Sequence, residues 1–94
     1  MATVVNDGLL GDLRALAARY GARKVVLFGS CLEHPERAND IDLGVKGLPP
    51  GSFFAFYGEV LGVAPCSVDI VDLDQDSLFS RLVERDGRTV YEHA

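Results

Sequence analysis

Apolar positions recur along the chain at two spacings, and these mark out the elements. Leu9, Leu10, Leu13, Leu16, Ala17 and Tyr20 return at helical intervals, with Asn6-Asp7 placed to cap the start and Gly21 suited to the stop. Lys24-Val-Val-Leu-Phe28 is a short β-branched run closed by Gly29, the pattern of a buried strand. Residues 29–39 are polar and contain Pro35, so they read as a loop with room for one helical turn after Ser30. Ile41, Leu43 and Val45 then alternate with Asp40, Asp42 and Gly44, the period of a strand whose two faces differ.

Pro49-Pro50-Gly51 breaks the chain, and Ser52 can cap a helix that carries Phe53, Phe56, Tyr57, Val60 and Leu61 on one side. Cys66 to Leu73 forms a third strand, in which Val68 and Ile70 face away from Asp69 and Val71. A helix from about Asp76 to Asp86 stops at Gly87, and Arg88 to Glu92 makes a short fourth strand. The order α-β-β-α-β-α-β predicts an α/β fold: a mixed sheet of about four strands flanked by helices, one domain over residues 1–94.

Composition narrows the function classes. The apolar fraction is 48% and the charged fraction 24%, ordinary values for a chain with a packed core. A net charge of −5 argues against direct nucleic-acid binding, which needs a basic face. Cys31 and Cys66 have neither zinc-site nor disulfide-framework spacing. The N-terminal residues lack the basic start and apolar run of a signal peptide, and no stretch approaches the roughly 20 apolar residues of a membrane span. A cytoplasmic location with reduced thiols is expected.

The chemistry concentrates in Gly29-Ser30, a nine-residue spacer, and Asp40-Ile41-Asp42-Leu43. Residues two apart on a strand share a face at about 6.5–7 Å, and two carboxylates so placed repel unless a cation lies between them. An isolated Asp-x-Asp is more often a solvated strand face, but Asp69 lies within an apolar strand, where an unpaired carboxylate is costly. If that strand adjoins the Asp40–Asp42 strand, three carboxylates converge on a site suited to Mg²⁺, and Asp69 is placed to accept a proton from an attacking hydroxyl. Asp72 and Asp74 read as turn residues. Gly29 permits a sharp turn and close backbone approach, and the following N–H groups with the Ser30 hydroxyl suit an anion. Cys31 and His34 read as ordinary loop residues. Phe53, Phe54, Phe56 and Tyr57 exceed what one helix face can bury, which leaves Phe54 or a neighbour for a protein contact.

Phe28-Gly29-Ser30 followed by Asn39-Asp40-Ile41-Asp42-Leu43 resembles the signature of the nucleotidyltransferase superfamily. With the Val68–Leu73 strand and the closing Gly87-Arg-Thr-Val-Tyr91, the chain from about Ala22 to Glu92 resembles the minimal nucleotidyltransferases, commonly antitoxin partners of HEPN-domain toxins. The resemblance implies that Gly29 and Ser30 contact the triphosphate of ATP. It implies that Asp40, Asp42 and Asp69 are the catalytic carboxylates and hold Mg²⁺ or Mn²⁺. Many such proteins carry a basic residue directly after Gly-Ser. Here Cys31 and Leu32 stand there, and Arg37 is the loop's candidate for that charge. The implied activity is AMP transfer from ATP to a hydroxyl, on a HEPN toxin partner; the alternative is an antitoxin that neutralises a HEPN ribonuclease by contact alone. A homo-oligomer is compatible with the sequence.

Overall fold

The computed structural model describes residues 5–34, 36 and 39–93. Arg37 and Pro35, to which the sequence assigned a charge and a loop position, lie outside the described residues. The elements are α1 (Asp7–Tyr20), β1 (Lys24–Phe28), α2 (Ser30–Glu33), β2 (Asp40–Lys46), α3 (Phe53–Val63), β3 (Ser67–Asp72), α4 (Leu78–Asp86) and β4 (Arg88–Glu92). Asn6 caps α1 by accepting the Leu9 N–H at 3.0 Å, and Gly21 ends it in the left-handed conformation at φ 77°.

Two helix starts differ from expectation. Ser52 precedes α3 but makes no side-chain cap, because it already has helical backbone angles (φ −91°, ψ −12°) and its hydroxyl is not placed over the first turn. The last helix starts at Leu78 rather than Asp76, because the Ser77 hydroxyl accepts the Ser80 N–H at 3.1 Å and fixes the boundary there.

The four strands form one sheet in the order β3-β2-β1-β4. β1 runs antiparallel to both β2 and β4, whereas β2 and β3 are parallel. A parallel pair needs a crossover, and α3 supplies it. One sheet face presents Val25, Leu27, Ile41, Leu43, Val45, Val68 and Ile70 to Leu13, Leu16 and Ala17 of α1 and to Phe56 and Val60 of α3. Tyr57 ties α3 to the edge strand by donating its hydroxyl to the Val68 carbonyl at 2.8 Å.

The opposite face is covered only in part. Val26 and Leu73 pack there on Val83 of α4, with Phe28 and Val71 at the margin. Gly44 lies on this face opposite Val26, and a Cβ there would sit 2.6 Å from Leu73 Cδ1; the missing side chain is what lets Leu73 fold over the sheet. At one end of the face Glu84 of α4 pairs with Lys24 at 3.6 Å and Lys46 at 3.5 Å. The other end, around Asp42, is left open.

α3 buries Phe56 and Val60 fully, but Leu61, expected on the same inward side, is 50% exposed. The correction follows from the crossover geometry. Phe56 and Val60 are one turn apart and define the contact line, and Leu61 is a further 100° around the helix. Phe54 is 83% exposed and Val63 also faces outward, so the outer side of α3 is apolar. Among the described residues no helix is long and apolar enough to cross a membrane.

Candidate nucleotide and metal site

Three elements meet at the open end of the sheet. β2 is a central strand, not an edge, so Asp40 and Asp42 are not a solvated sheet margin. Ile41 and Leu43 are buried beneath them and hold the strand's orientation. β3 supplies the third carboxylate: the parallel register places Asp69 directly opposite Asp42, with Asp40 opposite Ser67. Neighbouring strands are about 4.8 Å apart, so Asp42 and Asp69 project side by side from one face.

β1 supplies the fourth component. Phe28 pairs with Asp42, and Gly29 follows at φ 76° and ψ −155°, a conformation nearly confined to glycine. A Cβ at Gly29 would overlap the Asp42 Oδ2 atom. The glycine thus serves two needs, the turn and close approach to the carboxylate. The Gly29 carbonyl accepts the N–H groups of Leu32 and Glu33, both at 3.1 Å, which winds α2. The first N–H groups of a helix have no partner within it, so α2 itself makes no use of those of Ser30 and Cys31.

The electrostatics follow from this packing. Partial burial against the sheet raises the Asp42 carboxyl above its ordinary value, and the nearby Asp69 and Asp40 carboxylates raise it further. Among the described residues no Lys or Arg pairs with any of the three. Lys46 lies four residues along β2, roughly 13 Å away at strand rise, beyond a physiological Debye length.

The residues fit a hard divalent cation on donor chemistry: oxygen ligands only, adjacent, on rigid strands, with a mutual repulsion that a cation relieves. Among the described residues no group of three or more His, Cys, Asp or Glu side chains forms a ready metal cage. Like charges with nothing between them relax apart, and Mg²⁺ is commonly held by one or two carboxylates plus phosphate oxygens.

The other candidates separate from the site. Cys31 is buried, donates its thiol to the Phe28 carbonyl at 3.1 Å, and has its pKa raised by burial, the marks of a packing residue. Asp72 Oδ1 accepts the Asp74 N–H at 2.8 Å, and the Asp74 carboxylate accepts the Gly47 N–H at 3.1 Å, so both organise the turn after β3. Sequence reasoning missed a groove of about 260 Å³ between α2 and α4, with Phe28 and Gly29 among its lining residues. Its only sequence signal was the apolar Leu78, Phe79 and Leu82 set, which a nine-residue helix leaves exposed.

No protein-family profile matches the chain, and no curated protein matches it. Solved structures do. A chain of a toxin–antitoxin with AMP-PNP superposes with a TM-score of 0.72 at 20% identity, over 89% of this chain and 73% of that one. A toxin–antitoxin complex carrying two aspartate-to-glutamate substitutions gives 0.72 at 18% identity, over 95% and 75%. The toxin–antitoxin MntA-HepT gives 0.66 at 18%, over 90% and 71%. The shared architecture bears out the expected fold class, α/β with a four-stranded mixed sheet flanked by helices.

Proposed function

We propose that the protein is a metal-dependent nucleotidyltransferase that moves AMP from ATP to a hydroxyl on a HEPN toxin partner, and so acts as a cytoplasmic antitoxin. The observation that carries this reading is the register that sets Asp42 beside Asp69, with Gly29 against the Asp42 carboxylate. The similar structures support it. One contains AMP-PNP, all are toxin–antitoxin complexes, and the two substituted aspartates in one of them are two positions apart, the spacing of Asp40 and Asp42.

In this reading Asp40, Asp42 and Asp69 hold Mg²⁺ or Mn²⁺, which neutralises triphosphate charge. Gly29 lets the backbone approach the phosphates, and the Ser30 hydroxyl and the first N–H groups of α2 donate to them. Asp69, the most solvent-facing position of the paired carboxylates, accepts the proton of the attacking hydroxyl. The hydroxyl oxygen bonds to the α-phosphorus, the bond to the bridging oxygen breaks, and pyrophosphate leaves. A docked toxin supplies the orientation that raises the rate of such a step.

The experiment is co-expression with the neighbouring gene's product, followed by intact mass measurement of that product. Added AMP mass that disappears with Asp42→Asn supports transfer. A partner bound and silenced without added mass replaces it with antitoxin action by contact, a reading favoured by the apolar outer side of α3.

A further inference from the structure

The outer side of α3 is apolar although it faces water. Phe54 and Leu61 are both exposed there, and Glu59 is the one charged residue of the helix. Arg19 of α1 pairs with Glu59 at 3.5 Å, so the face is neutral in a chain of net charge −5. Phe54, Gly58 and Gly62 follow one another at four-residue steps and so lie along one line of the helix. A Cβ added at Gly58 or Gly62 would meet nothing within 4 Å, which leaves an open trough beyond the Phe54 ring. Ala55 and Leu61 flank that line.

We infer that α3 pairs with α3 of a second copy of this chain, antiparallel, about a two-fold axis at Gly58. A face that binds its own copy is matched to itself about that axis. Four residues before Gly58 stands Phe54 and four after it Gly62; three before stands Ala55 and three after it Leu61. Antiparallel pairing therefore sets each Phe54 level with Gly62 of the other copy, and each Leu61 level with Ala55. The large side chains fall where the opposite helix carries a hydrogen or a methyl group, and Gly58 lets the two backbones approach at the centre. A foreign partner would impose no such match between the two halves of one helix. Neutrality matters as much, because two acidic chains repel wherever an unpaired charge faces its own copy. Pairing leaves the carboxylate site open: α3 covers the sheet face that buries Ile41 and Leu43, whereas Asp42 and Asp69 project from the other. The inference stands independently of nucleotide transfer. A helix of 11 residues is about 16 Å long, so the seam stays below the roughly 1,200 Å² of standard interfaces and is weak. Dilute protein is monomeric, and pairing belongs to concentrations on the order of 100 µM and above.

Sedimentation velocity on the full chain, from about 10 µM to about 1 mM, tests this. Wild type should move from monomer toward twice the monomer mass across that range. Phe54→Ala should remove the shift by leaving the trough unfilled. Gly62→Leu discriminates between a self-matched face and a merely greasy one. Its position is open and helical, so the variant folds and gains helix propensity. It adds apolar surface, yet puts a side chain where Phe54 of the other copy must sit, so pairing should weaken at least about tenfold. Phe54→Ala combined with Gly62→Phe exchanges the two and should restore pairing. Thermal melts in the dilute range establish that each variant is folded. Wild type that stays monomeric throughout, Gly62→Leu that pairs as well as wild type, or a folded exchange variant that does not pair would each overturn the inference. Wild type that is monomeric alone, with Phe54 covered only when the neighbouring gene's product is added, would overturn it in favour of that product.

Discussion

Removing a single charge at Asp42 should make the protein more stable. In Asp42→Asn the shape is kept, but the carboxylate facing Asp69 and Asp40 is gone. Charges about 6 Å apart in a nearly aqueous setting repel by about 0.7 kcal/mol per pair, and physiological salt roughly halves this. Both neighbours are exposed, so the aqueous value applies, and partial burial of Asp42 adds a desolvation cost of its own. The sum is about 1 kcal/mol, or roughly 4–8 °C in Tm for a chain of this size. The pH dependence has a definite sign. The folded-state pKa of Asp42 is raised, so between the ordinary carboxylate value of about 3.9 and that raised value the folded chain holds more protons than the unfolded one. Wild-type stability therefore falls as pH rises through this window, and the variant escapes that part of the fall. Thermal melts at pH 7.5, 5 and 3.5 should show the variant's advantage at the first and its disappearance at the last. Mg²⁺ should raise the wild-type Tm more than that of the variant. A variant less stable than wild type at pH 7.5, or an advantage that persists at pH 3.5, would refute the repulsion argument and make Asp42 a structural residue.

Gly29→Ala should cost about 2–4 kcal/mol, combining a backbone conformation nearly closed to other residues with overlap of Asp42 Oδ2; urea unfolding measures it, and a loss under 1 kcal/mol would show that the turn relaxes freely. Phe56→Ala, at a fully buried position between α3 and the sheet, should cost about 3–5 kcal/mol and leave much of the chain unfolded at 37 °C, as read by circular dichroism. Phe54→Ser, on the exposed side of the same helix, should change stability by less than about 0.5 kcal/mol; a larger loss would mean that Phe54 is covered in solution. Cys31, buried and with a raised pKa, should be labelled by a thiol reagent only on unfolding, well after Cys66, which is partly accessible.

Most of the fold was legible because its residues obey simple periods. The alternation in β2 named both the buried Ile41 and Leu43 and the open Asp40 and Asp42, and Asn6 and Gly21 bounded α1 by local chemistry alone. The choice of strand neighbours was not legible. Nothing local to β2 or β3 states that they pair in parallel, or that Asp42 falls opposite Asp69 rather than one residue away; that is settled by which register buries Val68 and Ile70 on the same side as Ile41 and Leu43. Leu61 was misread for a related reason. An almost wholly apolar helix has no polar face to mark its orientation, so α3's inward side depends on the sheet beneath it. The groove escaped notice because its walls come from helices nearly fifty residues apart.

The parallel β2–β3 register has a consequence for how this chain can change length over evolution. Insertion or deletion of one residue within β2 or β3 reverses the facing of every side chain beyond it, burying a carboxylate and exposing a valine or isoleucine at one stroke. Such a lineage loses core and site together, and no single second substitution restores both. The connection from α2 to β2 carries no such coupling, since its length alters reach without altering strand parity. Natural variants should therefore accumulate gaps between Glu33 and Asp40 and avoid them from Asp40 to Lys46 and from Ser67 to Asp72.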